Sequence, residues 1–281
     1  MVNVTFHGVR GSTPIPGVAT KRYGGNTACV AVDIPGHDPL AFDLGTGFRA
    51  WGDTLVDNGP VQASVLLTHL HFDHVQGLPF FEPLDRPGAR LDVFGPQPDD
   101  GGLDQAFSAL VRPPYFPLRS AERRGEIRFH DVENERFPLG EATVMARSIP
   151  HLGPTNGYRL EWGDVSLAYV SDHQAPPALD RVPDSVLELA EGVDLLIHDA
   201  QFTLDEWEQK SGWGHSTIDF AVLVAREAGA RRLALFHHDP AHDDDQIDRL
   251  VEQARRTGDR LGVDEVVGAA EGLTVALPGH D

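Results

Sequence analysis

Four residues with side chains that bind divalent metals lie close together in the sequence: His69, His71, Asp73 and His74. The apolar run Ser64–Leu67 leads directly into them and predicts a buried strand that ends at this cluster. Because residues two apart in an extended or turning segment point the same way, the two histidines at 69 and 71 can hold one ion. The aspartate and histidine that follow can face a second ion. Imidazole and carboxylate ligands without a thiolate fit Zn(II), our leading candidate, and also Mn(II) or Fe(II).

Three further residues of the same kind, His151, Asp172 and His237, each follow an apolar, strand-like run. Sites in α/β folds gather at the carboxyl ends of strands. A chance scatter of the chain's 14 histidines would not share that placement. We therefore expect these residues to join the first cluster in a site for two divalent metal ions.

Short apolar runs alternate with amphipathic stretches and with Gly, Pro and Asp breakers along the chain. No repeat, low-complexity tract or interdomain linker interrupts them, so one α/β domain over residues 1–281 is the simplest organisation. Strands and helices in two successive halves suit a sandwich of two sheets covered by helices. The predicted strands are Val2–His7, Ala28–Ile34, Leu40–Asp43, Ser64–Leu67, Leu91–Phe94, Thr143–Ile149, Val165–Val170, Leu195–Ile197 and Arg232–Phe236, and the predicted helices are Gly47–Asp57, Leu103–Val111, Ser185–Ala190, Ile218–Ala228 and Asp243–Thr257. Residues 96–102 and 113–117 are predicted to be surface loops.

The charge, cysteine content and apolar runs of the chain limit the classes of function that it can have. The formal charge of -20, from 43 acidic and 23 basic residues, repels polyanions on average and favours a small or neutral substrate. Cys29 is the one cysteine, which excludes a disulfide framework and a cysteine-based zinc module within the chain. The N-terminus lacks the basic region followed by an apolar stretch that is typical of a signal peptide. No apolar run is long enough to span a bilayer, so we expect a cytoplasmic protein without a membrane partner.

In order and spacing, these candidate ligands resemble those of the metallo-β-lactamase superfamily over nearly the whole chain. The resemblance implies a single domain with the four-layer αββα sandwich of that fold. It also implies one metal held by His69, His71 and His151, a second held by Asp73, His74 and His237, and Asp172 bridging the two.

Within the superfamily the chain is most similar to the branch of ribonuclease Z and cyclic-phosphodiester hydrolases. The matching segments are Gly8–Pro14 followed by Gly24–Thr27, then Leu195–Phe202, and Gly214–Thr217. In that branch a carboxylate orients a histidine that lies over the scissile phosphate. The resemblance assigns these roles to Asp199 and His215.

Two departures from ribonuclease Z shape the expected substrate. His173 follows the bridging aspartate where a threonine is usual, and no Gly- and basic-rich insertion matches the long arm that grips tRNA. Together with the negative charge, they lead us to expect a phosphodiesterase for a small phosphodiester, most plausibly a cyclic nucleotide or cyclic phosphate, rather than for nucleic acid. Two close cations would activate a bound hydroxide for attack, Asp73 would accept the water's proton, and His215 would stabilise or protonate the reacting group. Arg10 could contact the phosphate.

Three other functions stay open. The closest is an RNA 3'-processing endonuclease of the ribonuclease Z type. A lactone, ester or thioester hydrolase would use the same metal site, and the Asp199 and His215 pair is the feature that argues against it. A catalytically silent metal-binding protein would tend to have lost ligands, whereas all seven are present. Homodimers are common in the superfamily, although no segment identifies an interface.

Overall fold

Two seven-stranded sheets form the centre of the protein in the computed structural model, which describes residues 1–55, 59–119 and 122–279. The first sheet has the order β14-β1-β2-β3-β4-β5-β6, and the second has the order β13-β12-β11-β10-β9-β8-β7. Strands of the first sheet are β1 (Val2–Gly8), β2 (Cys29–Asp33), β3 (Leu40–Phe42), β4 (Gln62–Leu66), β5 (Arg90–Gly95), β6 (Glu126–Asp131) and β14 (Thr274–Leu277). Strands of the second sheet are β7 (Arg136–Leu139), β8 (Ala142–Ser148), β9 (Asn156–Trp162), β10 (Val165–Val170), β11 (Leu195–Asp199), β12 (Arg232–Phe236) and β13 (Glu265–Gly268).

The inner faces of the two sheets pack against each other through a continuous apolar core. At its centre the rings of Phe42 and Tyr169 stack across the sandwich with centroids 4.6 Å apart. Alternate residues of β1 point into this core, as the period of a strand requires. Other fully buried members are Val4, Phe6, Tyr158, Leu195 and Phe236.

Helices cover the outer face of each sheet and complete four layers. They are α1 (Thr46–Leu55), α2 (Phe72–Val75), α3 (Leu103–Leu110), α4 (Asp184–Ala190), α5 (Leu204–Lys210), α6 (Ile218–Ala228) and α7 (Asp244–Leu261). Residues of α1 and α3 share a core with the first sheet, and residues of α4, α6 and α7 share one with the second. The predicted αββα sandwich is confirmed.

Local sequence signals explain several element boundaries. Thr217 caps α6 by accepting a hydrogen bond from the backbone N–H of Phe220, and Asp243 caps α7 in the same way. Gly229 ends α6 with φ 65, a left-handed conformation that glycine adopts readily. No helix in the described part of the chain is long and apolar enough to cross a membrane.

The predicted elements agree best where the sequence pattern is strongest. Predicted and observed bounds coincide for β10, β12 and α6. The predicted helix end at Asp57 lies outside the described residues, and the single-domain boundary of 1–281 stays a prediction. Strands β6, β7, β9, β13 and β14 and the short helices α2 and α5 were not predicted. Residues 113–117 form an exposed turn region, as expected.

Candidate metal centre

The carboxyl ends of four strands bring the seven predicted ligands together. The residues after β4, β8, β10 and β12 converge and form two groups. Within each group the ligand atoms lie within 4.8 Å of one another. One group is His69, His71, His151 and Asp172, and the other is Asp73, His74 and His237. The seven ligands, which lie at separate positions in the sequence, therefore form one contiguous site.

Asp172 lies between the two groups and presents one oxygen to each. Its Oδ1 is 3.1 Å from Nε2 of His74 and 3.3 Å from Nε2 of His237. Its Oδ2 faces the other group, 3.7 Å from Nε2 of His69 and 3.8 Å from Nε2 of His151. A carboxylate placed in this way can bind two cations at once.

Acceptors at the edge of the site fix which nitrogen of each histidine faces inward. The Nδ1–H of His74 donates to Asp43 at 2.8 Å, and that of His237 donates to Gln201 at 2.9 Å. The Nδ1–H of His151 donates to the carbonyl of Gly214 at 2.6 Å. In each ring Nε2 is therefore the atom that faces the other ligands and is left for a metal, the arrangement that outer partners impose on metal-binding histidines.

The inward nitrogens of these rings also lie close to one another. Nε2 of His74 lies 3.3 Å from Nε2 of His237, and Nε2 of His151 lies 3.2 Å from Nδ1 of His71. Nε2 of His69 is buried and has no hydrogen-bond partner among the described residues. Imidazole nitrogens gathered this closely beside the carboxylates of Asp73 and Asp172 form a donor set for divalent cations, so these residues fit a pair of divalent metal ions.

Burial and neighbouring charges together set the pKa values of the ligand side chains. Burial holds the pKa of His69 well below its usual value, which keeps the ring neutral and able to bind a metal. Burial would raise the pKa of Asp172, but His237, His74 and His69 outweigh it and keep that pKa well below the usual range. Asp73 is ionised for the same reason, and its Oδ2 also accepts a hydrogen bond from Ser12 N–H at 2.7 Å.

His215 and Asp199 form a pair at the edge of the two groups. The Nδ1–H of His215 donates to Asp199 Oδ2 at 2.9 Å, and the backbone N–H groups of His173 and Gln201 hold the same carboxylate. Burial lowers the pKa of His215, but the charges of Asp199, Asp172 and Asp73 outweigh it and raise the pKa to about 9. Bound cations would oppose this rise, since they repel the protonated ring.

Sequence reasoning missed Asp43, the residue that holds the centre of the site in place. It is fully buried and accepts hydrogen bonds from His74, from the hydroxyl of Tyr169 and from both the backbone and the hydroxyl of Thr68. The Thr68 hydroxyl in turn accepts from Nδ1–H of His69 at 3.0 Å. Asp43 directly follows strand β3, so the strand-end rule that found Asp172 applied to it as well.

The Arg10 side chain is directed into the fold, where it bonds to the backbone. Its side chain is fully buried and donates to the backbone carbonyls of Gly24 and His242 at 2.8 and 2.7 Å. It joins the glycine-rich opening to the loop before α7, so its role is structural. The glycine-rich segment instead contributes the backbone N–H of Ser12 to the site.

Histidines adjacent to the site are used inside the fold. His173 and His198 form a buried pair with Nδ1 and Nε2 3.0 Å apart, and His238 bonds to the carbonyl of Ala269 at 2.9 Å. None of the three belongs to either ligand group. The imidazole at 173, where ribonuclease Z usually has threonine, packs near Phe220, with ring centroids 5.8 Å apart.

Comparison with known proteins defines the class first. The family model described as "Beta-lactamase superfamily domain" matches residues 41–238, and the chain belongs to this superfamily. The crystal structure of the metallo-beta-lactamase fold protein YhfI from Bacillus subtilis superposes with a TM-score of 0.70, at 21% identity and with 98% of each chain covered. The chain is therefore a metal-dependent hydrolase, which removes the silent metal-binding alternative.

Curated relatives define the branch. Ribonuclease Z of Metallosphaera sedula is 31% identical over 68% of this chain and 75% of its own length. Ribonuclease Z of Myxococcus xanthus is 30% identical over 100% of this chain and 99% of its own length. Within the superfamily, the chain belongs to the ribonuclease Z branch.

The prediction of a small cyclic phosphodiester as substrate is wrong, and with it the prediction of a small-molecule partner. Relatives named ribonuclease Z, 26–31% identical over most of the chain, overturn it. The physical reason is that a net charge averages over the whole surface. It does not report the local field beside a site for divalent metal.

Proposed function

We propose that this protein is a metal-dependent endonuclease of the ribonuclease Z type that processes the 3' ends of RNA, with a tRNA precursor as substrate. The observation that carries the proposal is the His215–Asp199 pair beside two groups of metal ligands, in a chain whose curated relatives are named ribonuclease Z. A site that only held metals would not need this pair.

We further propose that the site holds two divalent ions, with Zn(II) as the metal. His69, His71 and His151 would bind one ion, Asp73, His74 and His237 the other, and Asp172 both. The convergence of histidine nitrogens supports this assignment. Elemental analysis of the purified protein should find about two metal ions per chain, as expected for a two-metal hydrolase site. A folded protein that binds no metal would refute the assignment.

The bound metals would polarise the scissile phosphate and lower the pKa of an attacking water toward neutrality. The roles of the protein's own groups follow from their contacts. Asp73, held by Ser12 N–H, would accept the water's proton as the new P–O bond forms. Asp199 would fix Nδ1–H of His215 so that the opposite nitrogen, when protonated, gives its proton to the leaving sugar oxygen as the old P–O bond breaks.

A tRNA precursor with a labelled 3' trailer tests the proposal. The metal-loaded protein should release one trailer fragment by a single internal cut. His215→Ala should lower kcat by roughly 10²- to 10⁴-fold, the usual contribution of a general acid.

The matched control for that variant is His130→Ala. His130 also pairs with a carboxylate at 2.9 Å, that of Asp92, but it lies outside the ligand groups. The control should cut the precursor at the wild-type rate. If His215→Ala and the control behave alike, His215 is not the acid; if the wild-type protein leaves the precursor intact, the proposed function is wrong.

A further inference from the structure

The segment between α3 and β6 has a charge opposite to that of the whole chain. From Arg112 to Arg124 it contains four arginines and one glutamate, whereas the chain as a whole carries -20. We call residues 112–119 and 122–124, which the structure describes and which carry all of these charges, the α3–β6 segment. A local positive strip of this kind attracts a polyanion despite an acidic average.

The α3–β6 segment lies against the turn that follows the first metal ligands. Phe116 packs edge-on against Phe80, with ring centroids 5.8 Å apart. Arg123 donates to the backbone carbonyls of Phe81 and Pro79. That turn continues from α2, which begins immediately after His71. The segment is thereby anchored close to the metal centre.

Large apolar side chains on this surface are unusually exposed. Tyr115 is 80% exposed, and Phe72 and Phe80 are 65% and 60% exposed. Apolar patches of this kind on a folded surface mark sites of interaction. In the described part of the chain, Arg112 and Arg119 form no ion pair with a carboxylate, so their charges are available to a ligand.

We infer that the α3–β6 segment, together with Phe72 and Phe80, binds the RNA strand beside the metal centre. The inference rests on the proposed function and adds the surface that holds the substrate. Arginines would contact phosphates, while the exposed rings would stack on unpaired bases, the combination that single-stranded nucleic acid requires. Sequence reasoning looked for a long inserted arm, assigned residues 113–117 to a surface loop, and favoured packing over base stacking for Tyr115.

A second copy of this chain fits the surface less well. In a two-fold symmetric dimer built on this patch, the patch faces its own copy. Two segments that each carry an excess of three positive charges would then repel each other. RNA has the complementary charge and offers flat bases to the rings.

Steady-state cleavage of the tRNA precursor by the metal-loaded enzyme, at several salt concentrations, tests the inference. For Arg112→Gln/Arg119→Gln we expect KM to rise about tenfold or more and its salt dependence to weaken by about 0.7 log units per log unit of salt for each lost phosphate contact. For Tyr115→Leu we expect KM to rise roughly 5- to 100-fold, the loss of one stacked base, with the salt dependence unchanged. Tyr115→Phe should restore the wild-type KM. The charge-matched control is Arg256→Gln/Arg260→Gln on α7, which should leave KM and its salt dependence unchanged.

Each contrary result has a distinct meaning. If the variants of the α3–β6 segment keep the KM and salt dependence of the control while the wild type cuts the precursor, the inference is overturned and the proposed function stands. If the wild type hydrolyses bis(p-nitrophenyl) phosphate but does not cut the precursor, the proposed function fails. If light scattering shows that Tyr115→Leu turns a dimer into a monomer, the surface joins two copies and the inference is again overturned.

Discussion

Replacing Asp43 by asparagine is the sharpest test of how the site is held together. Asp43 does not belong to either ligand group, yet its two oxygens accept hydrogen bonds from four donors in the buried centre. The carboxylate Oδ1 serves both donors of Thr68. The Oδ2 atom serves Nδ1–H of His74 and the hydroxyl of Tyr169, each at 2.8 Å.

The hydrogen bonds of Asp43 determine how much stability the substitution should remove. Asparagine can keep one oxygen toward Thr68, but its amide N–H group then faces the two donors that Oδ2 had satisfied. A buried donor without an acceptor costs about 1–3 kcal/mol, so the free energy of unfolding should fall by roughly 2–6 kcal/mol. For a chain of this size, that corresponds to a decrease in Tm of roughly 4–20 °C. Loss of an outer partner of His74 should also weaken metal binding about 10- to 100-fold.

Two measurements check this prediction. Thermal unfolding in chelator reports the loss of stability without metal, and a competition titration with a chromophoric chelator reports metal affinity. Asp92→Asn is the matched control, because Asp92 also accepts from a histidine at 2.9 Å but in a partly exposed position, where such pairs contribute about 0–1 kcal/mol. Metal affinity of Asp43→Asn within threefold of the wild type would refute the reasoning.

Three further outcomes follow from the structure. Gly214→Ala should lower metal affinity and activity at least tenfold, since Gly214 has φ 95 and an added Cβ would lie 2.6 Å from the His151 ring; Gly212→Ala, which meets open space, is its control in the same titration. Gly11→Ala should disturb the second ligand group, because its Cβ would lie 2.5 Å from the His237 ring, and unchanged metal stoichiometry and affinity would contradict this. Lowering the free metal concentration with a chelator should lower Tm roughly linearly with the logarithm of that free concentration, as calorimetry can measure, and a Tm independent of metal would show that the native state does not bind it.

The metal ligands were predictable because their signals are local. Each candidate follows a strand whose apolar run is visible in the sequence, and strands such as β10 and β12 are buried along most of their length. The spacing of the ligands along the sequence does not show how they are arranged in space, and the structure does. Asp172 presents one oxygen to each group only because the ends of β10, β4 and β12 come together in space.

The missed strands have weaker patterns for a physical reason. β6 carries charged residues at several positions and no fully buried residue, as befits the edge of a sheet. β14 has four residues, of which Val275 and Leu277 face the core. Only pairing with β1 makes so short a segment a strand. Such elements are defined by their neighbours more than by their own sequence.

The predicted substrate was wrong because the net charge of the whole chain was used to judge the charge near the site. Most of the acidic excess lies away from the α3–β6 segment, so the net charge conceals an arginine-rich strip that packs against the turn after α2. Cations that bind the ligand groups would shift the local balance further in the same direction. Charge therefore has to be counted along the path that a substrate would take.

Three strand-end residues share a backbone feature that explains why the strand-end rule works here. Asp43, Asp172 and His237 have φ values of 59, 55 and 60, in the left-handed region that residues other than glycine seldom adopt. Each such residue costs on the order of 1 kcal/mol or more, which the surrounding structure must offset. A left-handed residue turns the chain sharply off the strand and leaves its side chain over the sheet edge. Hydrogen bonds then hold that side chain, as Ser171 does for Asp172 at 2.7 Å and Gln201 does for His237 at 2.9 Å. Strain at these three positions thus indicates a site whose geometry is set by the fold before any metal binds.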